Sequence, residues 1–109
     1  MRTIKELVNN EKKVYIFLRS RAIRCRFMSD AQGEGIKYGD NVQAAERQAE
    51  EVMRLLPDGT ICFLGFAGRM CFRYSTEPMI RINYKKYIDN SDDYLIDQKD
   101  LKDCIDHIK

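Results

Sequence analysis

The stretch Asp40 to Phe66, DNVQAAERQAEEVMRLLPDGTICFLGF, constrains the fold of this chain more than any other, because an amphipathic segment, a stop signal and a dense apolar run follow one another directly. Val42, Ala45, Ala49, Val52, Met53 and Leu56 recur at spacings of three and four, which places them on one face of a 3.6-residue helix. Gln43, Glu46, Arg47, Glu50, Glu51 and Arg54 take the other face. Asp40 or Asn41 is placed to cap the helix, and Gln43 stands three residues after Asp40 as in a capping box. Pro57-Asp58-Gly59 then stops the helix and turns the chain. Thr60 to Phe66, almost wholly apolar, is predicted to be a strand buried on much of both faces, central in a sheet and packed beneath the helix.

The flanks supply the other elements. Thr3-Ile4-Lys5-Glu6 is a T-x-x-E capping box opening a short helix to about Asn10. Val14 to Leu18, VYIFL, has the β-branched and aromatic content of a strand. In AIRCRFM, Ile23, Cys25 and Phe27 alternate with Arg24 and Arg26, the period of a half-buried strand that either pairs with VYIFL or continues it as one bent strand. Ser29 to Gly39 reads as a flexible loop. Beyond a turn at Phe66 to Arg69, RMCFRYS is predicted to form a hairpin with TICFLGF, Met70, Phe72 and Tyr74 facing the core. A further strand runs from Met79 to about Tyr87, with Ile80, Ile82 and Tyr84 on one side. After the polar run Asp89 to Asp93, Asp97 or Asp100 caps a last helix carrying Leu101, Cys104, Ile105 and Ile108.

The predicted order is α-β-β-α-β-β-β-α. It describes an α+β fold, a single domain with a mainly antiparallel sheet and helices packed on it. That element order is similar to the one found in roadblock and profilin-like domains, and it carries no functional motif with it. A chain of 109 residues is long enough to bury roughly two thirds of its unfolded surface without metal or disulfide staples. No run approaches the ~18 apolar residues of a membrane span, and the N-terminal residues lack the apolar core of a signal peptide. The expected location is therefore cytoplasmic, without membrane partners. Cys25, Cys62, Cys71 and Cys104 form no CxxC pair and are expected to be reduced, buried thiols.

Charge is unevenly distributed. Residues 1 to 88 carry 16 Lys and Arg against 10 Asp and Glu, whereas residues 89 to 109 carry 3 against 7. Either the acidic end folds against the basic remainder, or the basic surface faces a partner. The candidate binding residues are Arg19, Arg21, Arg24 and Arg26, joined across the predicted sheet by Arg73, Arg81 and Lys85. On an open sheet face, with Tyr15 or Phe17 among them, such residues hold phosphates and stack unpaired bases.

Three other patterns fail on spacing. Gly33 to Gly39 matches neither G-x-G-x-x-G nor the P-loop. Asp89 to Asp100 resembles a calcium loop but has Tyr94 at the turn glycine and Asp100 at the bidentate glutamate. Cys104 and His107 stand three apart without two further ligands at metal spacing. No catalytic, cofactor or metal residue is named. The expectation is a non-enzymatic protein-interaction or regulatory module that contacts its partner through a sheet edge, the basic face, or both, and the alternative is nucleic-acid binding on the arginine face.

Overall fold

The structure, a computed structural model, describes residues 2–97 and 101. Its centre is β1 (Lys13–Phe17), where Val14 to Phe17 are buried without a break. Pleating sends successive side chains to opposite faces, so Val14 and Ile16 enter one apolar cluster while Tyr15 and Phe17 enter another. Such a strand belongs inside a sheet. The other strands are β2 (Val52–Leu55), β3 (Ile61–Phe63) and β4 (Met79–Asn83), in the order β3-β2-β1-β4. β2 pairs antiparallel with both β1 and β3, and β4 pairs parallel with β1. The sheet is mixed and mainly antiparallel.

α1 (Arg21–Gly33) covers the first face. The Ser20 hydroxyl accepts the Ile23 N–H at 3.3 Å and starts the helix. Phe27, Met28 and Ala31 point inward from it, and α3 (Tyr84–Ile88) adds Tyr84 and Tyr87 to the same cluster. Phe27 meets Tyr84 edge-on, ring centroids 5.1 Å apart. The second face is covered by α2 (Phe66–Tyr74), whose Phe72 lies 6.0 Å from the Tyr15 ring and 6.4 Å from Phe17. Gly68 keeps α2 close to the preceding loop, since a Cβ there would meet a Leu64 side-chain carbon at 3.1 Å.

The expected α+β class and the helix-covered, mainly antiparallel sheet are found, but several segments build them differently. Asp40 to Leu56 is not a helix. It contributes one 3-10 turn, Ala44–Glu46, and then β2. Pro57-Asp58-Gly59, read as a helix stop, is the turn of the β2–β3 hairpin: Gly59 takes φ +85°, and the Leu56 N–H reaches the Thr60 carbonyl at 2.8 Å. Asp-Gly between apolar runs is a hairpin signal, and it takes Val52 to Leu55 as its first strand. β3 is an edge strand and not the central one, a place held by β1.

AIRCRFM is helical, as is most of the predicted loop that follows it. Its apolar residues satisfy both periods, and a Ser20 cap followed by thirteen residues running to Gly33 favours the helix. RMCFRYS is likewise helix and not strand. Of Met70, Phe72 and Tyr74, only Phe72 is buried. The strand from Met79 ends at Asn83, whose side chain accepts the Lys86 N–H at 3.3 Å and begins α3. Because this element order differs from the predicted one, the likeness to roadblock and profilin-like domains does not carry over. At the N-terminus the capping box forms as expected, with reciprocal Thr3–Glu6 bonds of 3.3 Å, although the helix it opens is a single 3-10 turn, Lys5–Leu7. The predicted C-terminal helix lies outside the described residues apart from Asp97 and Leu101, which is buried in the second cluster.

Candidate functional site

The seven candidate cations do not share a sheet face, because both faces are covered and only Arg81 stands on a strand. Arg19 follows β1 at the surface, while Arg21, Arg24 and Arg26 project from α1. Arg24 donates to the Leu18 carbonyl at 3.2 Å, and Arg26 Nε lies 3.0 Å from both Asp30 carboxylate oxygens. Arg73 belongs to α2, and Lys85 on α3 pairs with Asp89 at 2.7 Å. Arg81 is only 6% exposed. Its Nε donates to the Phe72 carbonyl at 2.9 Å and its Nη2 to the Ser75 carbonyl at 3.2 Å, closing the C-terminal end of α2.

What remains of the basic cluster is a groove of about 420 Å³ between α1 and the 47–49 segment, lined by Arg21, Arg24 and Arg47 with Cys25, Met28 and Gln32. Arg47 also lies over the Tyr38 ring and pairs with Asp40 at 2.7 Å. Its hydrogen bond holds the Asp40 carboxyl below the usual carboxylate range. Cys25 is exposed, and Cys62 and Cys71 are half-buried; all three are free thiols, so the expectation of buried cysteines fails for each described one. Burial raises the Cys62 thiol above its ordinary pKa, which keeps it protonated at neutral pH.

The outer side of α2 carries a feature that the strand reading concealed. Phe66 is 82% exposed, Met70 38% and Tyr74 61%, and four-residue spacing aligns the three along one side of the helix. Arg69 and Arg73 run beside them, and α2 contains no acidic residue. A nine-residue helix with apolar groups on two sides fills the core from only one of them. The spacing of positions 66, 70 and 74 was readable, and the competing alternation at 70, 72 and 74 masked it.

Beneath α2 the sheet presents a row across all four strands. Cys62, Arg54, Tyr15 and Arg81 are successive cross-strand partners. The Tyr15 hydroxyl is raised above its ordinary pKa, first by burial and then by the neighbouring Cys71 thiol. On the β3 side of Tyr15 lies a cavity of about 280 Å³ lined by Lys13, Tyr15, Arg54, Gly65 and Cys71 among others.

Among the described residues, no three His, Cys, Asp or Glu gather as a metal site would require, and no helix is long and apolar enough to cross a membrane. Comparison with known proteins returns no matching family model, no matching curated protein and no matching solved structure. The functional argument therefore rests on the surfaces themselves.

Proposed function

We propose that this protein is a cytoplasmic, non-enzymatic interaction module, and that the outer side of α2 is its docking surface for another protein. The observation that carries the reading is the exposed line Phe66, Met70 and Tyr74. Large aromatic, methionine and arginine side chains are the types enriched at protein interfaces, and an exposed apolar row rimmed by polar groups marks an interaction site. The chemistry of α2 selects the partner: an amphipathic helix whose apolar row packs between Phe66 and Tyr74 and whose acidic flank faces Arg69 and Arg73. Nucleic-acid binding is the alternative reading. Its support is the groove of Arg21, Arg24 and Arg47, whose lining contains no carboxylate.

Selection from a displayed library of helical peptides separates the two. Peptides enriched on the native protein are expected to carry apolar residues at helical spacing with Asp or Glu alongside. Their affinity, measured by fluorescence anisotropy, is expected to fall at least tenfold for Phe66→Ala with Tyr74→Ala. Enriched peptides that bind the double variant as tightly as the native protein would refute the α2 surface. Single-stranded RNA is the second probe: salt-dependent binding lost in Arg21→Ala with Arg24→Ala, and kept in the α2 variant, would move the function to the groove.

A further inference from the structure

The cavity under the first turn of α2 has donors in excess and no acceptor of matching charge. Arg54 and Lys13 line it, and none of its lining residues is Asp or Glu. Neither cation forms an ion pair with a described residue. The Nε of Arg54 is fully buried and has no hydrogen-bond partner. An orphaned buried N–H on a charged group is expensive, and native structures rarely keep one without a reason.

The comparison with Arg81 sharpens the point. Both arginines flank Tyr15 in the same row beneath α2. Arg81 lies under the helix's C-terminal end, where carbonyl oxygens accept from its guanidinium. Arg54 shares its cavity with Gly65, Ala67 and Gly68 at the other end, where the backbone offers N–H groups. Gly65 is the N-cap and has no side chain to accept from that turn. Guanidinium, ammonium and first-turn N–H groups therefore share one cavity, and none can satisfy another.

We infer that this cavity is a binding site for a phosphate group, carried as a monoester or as the free ion. A phosphate monoester brings roughly −1.5 to −2 charges and three acceptor oxygens, a match for two cations and a helix N-terminus. The site lies on the inner side of α2, so it does not depend on the docking surface proposed for the outer side.

The test is titration of the full chain with inorganic phosphate and with methyl phosphate at constant ionic strength, followed by ¹H–¹⁵N spectra that include arginine Nε. Saturable shifts are expected at Arg54 Nε and at the amides of Phe66, Ala67 and Gly68, with chloride giving none. Tighter binding of methyl phosphate would identify a monoester as the ligand, and equal binding the free ion. Lys13→Gln, at an exposed position, is expected to weaken binding at least threefold, and Arg54→Gln at least tenfold. Gly65→Asp supplies the missing acceptor from the chain itself: Gly65 has extended backbone angles and open space where a Cβ would stand. This variant is expected to raise Tm and abolish the phosphate response, whether or not Arg54→Gln folds. Absence of saturable shifts, the same shifts with chloride or acetate, or a phosphate response surviving in Gly65→Asp would overturn the site.

Discussion

The two sides of the sheet are built on different terms. The first, under α1 and α3, is an extended apolar cluster from Ile4 to Tyr87 in which the polar atoms of Tyr84 and Tyr87 reach Asp30 and the Thr3 carbonyl at 2.6 Å each. The second, under α2, is a smaller cluster around Phe72 that shares its floor with two arginines and a cavity, and its helix exposes a second apolar side. Dense packing makes the first face a foundation with little freedom to vary. The second holds a helix through one aromatic ring and one guanidinium, and leaves surface over for contact.

The contrast is open to attack at several depths. The largest effect is expected from Phe27→Ala, which removes a fully buried ring from the first face and should cost about 3–5 kcal/mol in urea unfolding. A loss under ~1 kcal/mol would mean that this face is not the foundation. Next comes Arg81→Met, which keeps the apolar stem but leaves two α2 carbonyls without their donor. A loss of about 2 kcal/mol is expected, and a neutral result would show that α2 is held by Phe72 alone.

Alkaline pH probes the first face through its tyrosines. Burial, followed by Glu6, pushes the Tyr87 hydroxyl up to about 12, and burial, followed by Asp30, raises Tyr84 as well. An unfolded tyrosine ionises near pH ~10. Both native groups are raised, so their contribution is complete below that pH and is lost as pH rises through the folded values. Urea midpoints should therefore decline above pH ~10, and Tyr84→Phe with Tyr87→Phe should flatten the decline. The smallest effect is expected on the outer side of α2. There Phe66→Ala with Tyr74→Ala should change stability by less than ~0.5 kcal/mol per site while removing peptide binding. A large loss of stability would make that side structural.

What was legible in the sequence divides along physical lines. β1 was plain, because five β-branched, aromatic or aliphatic residues in a row have little else to do in a chain of this size. The Thr3–Glu6 box was plain because its chemistry is local. Segments whose apolar residues satisfied two periods were not. Ile23, Cys25 and Phe27 alternate as in a strand, yet Phe27 and Ala31 lie one helical turn apart, and only packing against β1 decides between the readings. In the same way Val42 to Leu56 has helical spacing, and the Asp-Gly turn beyond it overrode that spacing by recruiting Val52 to Leu55 into a hairpin. Arg81 was named as a surface binder because arginine is seldom buried. Its burial follows from the helix end above it, a neighbour that no local pattern announces.

The parallel pairing of β1 with β4 has a consequence for how the chain reaches this structure. Lys13 pairs with Met79, 66 positions later, whereas Leu55 and Ile61 in the hairpin are six apart. Closing a long loop costs more entropy than closing a short one, and nonlocal pairings delay folding. The hairpin is thus free to form early, while β1 gains its second neighbour only after α1, the hairpin and α2 have been traversed. Until then one edge of the most apolar strand lies open. During synthesis that interval lasts until Asn83 has left the ribosome, and over that interval VYIF is the segment most exposed to pairing with the wrong chain.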